Sequence, residues 1–126
     1  MIKIAIFLLI TAELLFGKGV EWKTWSDAVA LSKKNHKIIM VEAVRDGCHY
    51  CEDMQRDVFH DTVMADFIQK RFIGVKINMS RQKMPLDIDV SMTPTFYFIS
   101  EDQKVIKTVP GSWNQEDFKS MLEEIK

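Results

Sequence analysis

The chain has 126 residues, 47% of them apolar, and a formal net charge of −1. That length suits one domain with a core of its own. The near-neutral balance, without a long basic run, excludes the electrostatic footprint of a nucleic-acid or anionic-membrane binder.

The first residues are a short basic start, Met1-Ile2-Lys3, and a compact apolar stretch from Ile4 to Ala12. Glu13 interrupts it, Leu14 to Phe16 extend it, and Gly17-Lys18-Gly19 offers small residues for cleavage. This predicts a secretory signal peptide over residues 1–19, too short to cross a bilayer, which takes about 20 apolar residues. A buried first strand and an uncleaved anchor are the other readings of the same residues. The mature chain, residues 20–126, is then one domain working outside the cytoplasm, where disulfide chemistry is at home.

Residues 20–22 predict a short edge strand. Thr24 then caps a helix with Asp27 in its first turn, and Trp25, Ala28, Val29 and Ser32 share one face of it. Residues 38–44 are apolar on both parities, as in a central strand covered on both sides. Asp46-Gly47 leads into Cys48-His49-Tyr50-Cys51 at the opening of a second helix, whose Cys51, Met54 and Val58 form a stripe that buries the second sulfur. Asp61 caps a third helix with Met64, Phe67 and Ile68 inward. Residues 72–78 are a second strand, parallel to the first if the helices between them form the crossover. Residues 79–92 are looser, with a short helical turn ahead of Asp89. Thr93-Pro94 then enters a strand over 95–99, and a turn at 101–103 leads to a return strand over 105–109. A last helix from about Asn114 carries Phe118, Met121, Leu122 and Ile125 on one face. The order β-α-β-α-α-β-β-β-α is α/β: a mixed sheet with helices on both faces.

The only two cysteines are Cys48 and Cys51. A bridge between them would close four residues and contribute only about 2 kcal/mol, against about 4.7 for a hundred-residue loop. The pair reads as chemical rather than architectural. At a helix start the unpaired N–H groups and the dipole favour a thiolate by up to about 2 kcal/mol, enough to bring one into the neutral range. Cys48 is thus the candidate nucleophile and Cys51 its resolving partner.

With these landmarks in register, the chain resembles the thioredoxin family over essentially its whole mature length. Glu42 stands six residues before Cys48, where thioredoxins place a buried acid. Lys76-Ile77-Asn78 resembles the strand whose lysine pairs with that acid, Thr93-Pro94-Thr95 the segment with the family's cis-proline, and Gly111 the glycine before the final helix. The approach Trp22…Trp25…Ala28 and the dithiol helix are most similar to exported members, such as the C-terminal periplasmic domain of the transmembrane thiol:disulfide interchange protein.

The resemblance implies a thiol:disulfide oxidoreductase with catalytic Cys48, Cys51, Glu42 and Lys76, a redox-active Cys48–Cys51 disulfide, and no organic cofactor or metal. By its strand parity Glu42 points beneath the dithiol. Desolvation there raises its pKa, so that it takes a proton from Cys51. Thr93 and Pro94, with His49 and Tyr50, would meet the substrate, the Thr93 backbone pairing with a peptide as an added strand. Protein thiols and disulfides are the implied substrates, a membrane protein the implied electron-exchange partner, and a periplasmic monomer the implied setting.

Departures from the family pattern are informative too. Gly47 replaces the usual tryptophan before the first cysteine. His49-Tyr50 replaces the common Gly-Pro, and a protonated His49 would stabilise the Cys48 thiolate. Tyr50 and Thr93 lean toward a reductase or isomerase-like role. The rival from another class is copper or zinc binding by the same cysteines, although His36 and His60 make no recognised ligand spacing with them. A vestigial dithiol on a non-enzymatic adaptor is a third possibility. Haem attachment needs His directly after the second cysteine, and Glu52 stands there.

Overall fold

A computed structural model describes residues 19–126; the predicted signal peptide lies outside the described residues but for Gly19. Helix α1 (Trp25–Asn35) is capped by Thr24, whose Oγ1 accepts the Asp27 N–H at 3.2 Å, and it ends at His36 in the left-handed region. Strand β1 (Ile38–Val44) follows, then helix α2 (His49–Met54), a π-helical turn (Gln55–Phe59) and helix α3 (Thr62–Arg71), which is capped by Asp61. Strands β2 (Phe72–Asn78), β3 (Thr95–Ile99) and β4 (Val105–Pro110) and helix α4 (Gln115–Glu123) complete the order. Among the described residues, no helix is long and apolar enough to cross a membrane.

The sheet runs β2-β1-β3-β4. β1 pairs with β2 in parallel, with Glu42 opposite Lys76, and with β3 antiparallel, with Glu42 opposite Phe96. β4 returns antiparallel along β3. Each face of the sheet carries its own core. One holds Met40, Phe72, Phe96 and Phe98 beneath side chains of α2, the π-turn, α3 and α4. The other holds Ile39, Val41, Ala43, Ile73, Val75, Ile77, Tyr97 and Ile99 beneath α1 and the 79–90 segment.

Two sequence expectations need correction. Residues 20–22 form no strand. Their backbone bonds scatter, Val20 N–H to the Phe59 carbonyl and Glu21 N–H to Gln69 Oε1, and only Lys23 N–H reaches β2, at the Gly74 carbonyl. Val20 and Trp22 instead lie over Gly74. A Cβ there would come within 3.1 Å of Trp22 Cε3 and 3.2 Å of Val20 Cγ1, so the absent side chain is what lets them approach. The helical turn ahead of Asp89 does not form either. Pro85 cannot donate a helical bond, and Leu86, Ile88 and Val90 alternate with aspartates, so this stretch lays a strand-like period against the sheet. Phe67, read as inward, does pack against the core, partly buried, with Arg71 and Lys119 over its ring at 4.6 and 5.3 Å.

The π-turn is what the helical period could not predict. The His60 N–H bonds five residues back, to the Gln55 carbonyl at 3.0 Å. The extra residue buries Phe59 as well as Met54 and Val58. Phe59 then meets Trp22, Phe96 and Phe118, with ring centroids 5.1 to 6.0 Å apart.

Candidate active site

The site grows from the carboxyl end of β1. Beyond Val44 the chain turns through Asp46 and Gly47, and Gly47 has φ +69. A Cβ at that position would meet nothing within 4 Å, so the backbone angle, not space, calls for glycine. A tryptophan at position 47 would be strained in this turn. The turn is pinned to the chain after β2: Asn78 Nδ2 and Arg81 Nε donate to Asp46 Oδ1 at 2.9 and 3.1 Å, and the Asp46 N–H donates to Ser80 Oγ at 3.0 Å. Those two donors hold the Asp46 carboxyl below its ordinary range.

Cys48 is the N-cap of α2, and its Sγ accepts the Cys51 N–H at 3.2 Å. The two cysteines form a disulfide, with Cα atoms 5.3 Å apart. Cys51 is buried at 7% exposure, whereas Cys48 is partly open to solvent. Only the first sulfur is thus presented to a large molecule. A second donor reaches it from across the site, the Thr93 hydroxyl at 3.3 Å. The Thr93–Pro94 bond is cis, and the Pro94 carbonyl accepts the Gly111 N–H at 2.8 Å. Tyr50 stands 63% exposed beside this loop's helix neighbour His49, whose Nε2 turns down the helix to Asp53 Oδ2 at 3.5 Å.

Under the helix lies Glu42, fully buried, with neither carboxyl oxygen in a hydrogen bond. Lys76, its register partner on β2, brings Nζ to 3.6 Å from Glu42 Oε1, an ion-pair contact. Burial pushes the Glu42 carboxyl up to about 7, against the opposing pull of the Lys76 charge. Lys76 donates to Gln55 Oε1 and sits over the Trp22 ring at 4.7 Å. Gln55 is one helical turn past Cys51, and its N–H bonds to the Cys51 carbonyl. The lysine and the second cysteine are thus joined through one residue, and the acid lies 3.6 Å from that lysine.

The structure therefore brings together the partly exposed Cys48 and Thr93 with the buried Cys51 and Pro94 behind them, and Glu42 and Lys76 beneath. His49 and Tyr50 face outward on the first turn of α2. Sequence reasoning missed Gln55, Trp22 and the Asp46 anchor. The one available signal was spacing, since Gln55 repeats the face of Cys51 at i+4. Among the described residues, no group of three or more His, Cys, Asp or Glu side chains is placed to hold a metal ion, and His36 is paired with Glu101 at 2.8 Å.

Comparison with known proteins agrees with this architecture. A DsbH oxidoreductase structure superposes with a TM-score of 0.72 at 16% identity, covering 91% of this chain and 90% of that one. A thioredoxin from Thermus thermophilus gives 0.67 at 21% identity, with 84% and 86% covered. The reduced C-terminal domain of DsbD from Neisseria meningitidis gives 0.61 at 14% identity, with 80% and 93% covered. At such identities the likeness is one of fold. A curated relative, an uncharacterised protein of Caenorhabditis elegans, is 27% identical over 71 residues, and the match spans 56% of this chain but only 9% of that protein. The family model for the thioredoxin-like domain matches residues 25–126, which include every site residue described above except Trp22, and the chain belongs to the thioredoxin-like family.

Proposed function

We propose that this chain is an exported thiol:disulfide oxidoreductase that exchanges disulfides with other proteins, in the manner of a reductase or isomerase. One observation carries the reading: a dithiol at a helix start with one sulfur presented, the other buried, and an unbonded acid beneath them.

In the reducing direction the Cys48 thiolate attacks one sulfur of a substrate disulfide. That bond breaks, its other sulfur leaves and takes a proton, and a mixed disulfide joins Cys48 to the substrate. Cys51 then gives its proton to Glu42 and attacks Cys48 Sγ, which releases the second substrate thiolate and forms the disulfide seen here. Two electrons pass from the dithiol to the substrate, and oxidation is the reverse path. Lys76 keeps its charge near the acid, and Thr93 offers its hydroxyl to Cys48 and its backbone to the bound peptide. Pro94, itself buried, backs the Thr93 strand along which that peptide would lie, with Tyr50 and His49 exposed on the first turn of α2. This chemistry needs neither metal nor organic cofactor.

The direction of flow is read from Tyr50 and Thr93, which resemble the reductase and isomerase members. Potentials on this fold span about −270 to −120 mV, and a value toward the negative end supports that role. Residues 1–19 serve as the signal peptide, residues 20–126 as the working domain, and the periplasm as the compartment. There the chain acts as a monomer recycled by a membrane electron-exchange protein.

The test is insulin reduction and re-pairing of a scrambled disulfide protein. Wild type accelerates both, Cys48→Ser does neither, and Cys51→Ser stalls as a mixed disulfide trapped on Cys48. Serine variants that match wild type would overturn the reading.

A further inference from the structure

Lys76 stops short of Glu42. A lysine beside a buried carboxylate ordinarily closes to a charge-assisted hydrogen bond of about 2.8 Å, yet here the gap is 3.6 Å and both carboxyl oxygens stay unbonded. The ammonium is engaged elsewhere, as donor to Gln55 Oε1 and as the cation over the Trp22 ring at 4.7 Å. Gln55 is itself held firmly. Its N–H bonds to the carbonyls of Cys51 and Glu52, and its carbonyl accepts the His60 N–H that closes the π-turn.

We propose that Gln55 is a positioning residue that holds the Lys76 ammonium off the Glu42 carboxyl, keeping that carboxyl ready to accept the proton of Cys51. The proposal rests on the reading of Glu42 as the proton acceptor for the resolving cysteine. A fully formed ion pair would stabilise the carboxylate and make it a poor base at neutral pH. A lysine removed altogether would leave a protonated acid with nothing to receive. Gln55 sets the intermediate position. The charged group recorded against Glu42 is Lys76 from β2, and the Cys48–Cys51 pair at the start of α2 does not titrate as a disulfide. Its register partner on β3, Phe96, and the neighbouring Phe118 of α4 carry no charge.

The experiment titrates Glu42 in the oxidised full-length protein by carbon NMR of labelled glutamate carboxyls, with the signal assigned through Glu42→Gln. Gln55→Leu fills the space without accepting a hydrogen bond. Leucine alone would desolvate the acid further and raise its midpoint, so a fall is the diagnostic sign. We expect a fall of about one pH unit, and no fall from the same substitution in a Lys76→Met background. Gln55→Asn, one methylene shorter, gives a smaller fall and serves if the leucine variant does not fold. A midpoint that stays or rises in the protein with Lys76, or that falls equally in both backgrounds, overturns the proposal. The readout involves no thiol exchange, so a failed insulin assay would sink the functional reading while leaving the Gln55 result standing.

Discussion

Ile39, Val41 and Ala43 turn one way from β1, while Met40 and Glu42 turn the other. On the first side the packing is built from Ala28 of α1, Met84, Leu86, Ile88 and Val90 of the segment beyond β2, and Tyr97 of β3. On the second side an aromatic cluster built on Phe59, Phe96 and Phe118 surrounds a carboxyl with two unbonded oxygens, and the Trp22 indole N–H is also unbonded. Alternate residues of one strand thus serve opposite ends. The first face gains stability from each side chain it buries. The second gives some up, because a buried acid without a hydrogen bond is costly once ionised. A domain stable by about 5–15 kcal/mol tolerates one such group when the rest of its core is dry.

The widest effect should come from the dry face. Ile39 is fully buried, and Ile39→Ala is expected to cost about 2–5 kcal/mol through lost contacts and the cavity left behind. The loss should be the same at pH 5 and pH 8 in urea melts, because the titratable member of that cluster, Tyr97, is held by burial above its ordinary value of 10 and stays neutral across that range, and the folded variant should exchange disulfides as wild type does. A pH-dependent loss would blur the contrast between the faces.

Glu42→Gln probes the other face and should act with the opposite sign. The native carboxyl titrates at about 7 instead of 4.5. Below 4.5 both folded and unfolded chains hold the proton, and stability is at its fullest. Between 4.5 and 7 the unfolded chain releases it first, so stability falls as pH rises, and the cost is complete above the folded value. That interval corresponds to about 3 kcal/mol. Glutamine escapes it, so the variant should gain on wild type by about 3 kcal/mol between pH 5 and pH 8. At the same time, release of substrate from Cys48 should slow by about 100-fold at pH 6 to 7, with first attack little changed. Stability curves that stay parallel across this range would remove Glu42 as a buried titrating acid.

How much of this could be read without coordinates follows the same division. The strands showed themselves through hydrophobic parity, and the helix starts through Thr24, Asp61 and Asn114, each of which accepts the backbone N–H three residues on. Glu42 and Lys76 were legible through the resemblance to thioredoxins, with strand parity adding the side to which Glu42 points, and the parallel register sets the two opposite each other. Gln55 was not: its i+4 spacing from Cys51 marks the helix face, but its role depends on where a lysine from a different element is tethered, and periodicity does not carry that. The π-turn hid Phe59 for a related reason: one added residue breaks the 3.6 spacing from which the buried stripe was read. Residues 20–22 looked like a strand locally, yet their hydrogen bonds are decided by a gap at Gly74 and by a carbonyl at Phe59.

The smallest effect expected belongs to the surface of the site. Thr93→Val replaces the hydroxyl that lies 3.3 Å from Cys48 Sγ with a methyl group of similar shape. Carried over to the reduced protein, that hydroxyl would be one of two donors to the thiolate, and the Cys51 N–H, at 3.2 Å from Cys48 Sγ in the disulfide, would remain in the variant. Losing one hydrogen bond of modest strength should raise the Cys48 pKa by about half a unit, read from the pH dependence of its alkylation. Ile39→Ala should leave that midpoint in place, since the dry face makes no contact with either sulfur. A rise in both variants would mean that the thiolate responds to general loosening of the sheet. A rise in Thr93→Val alone would tie the reactivity of Cys48 to donors held on its own side.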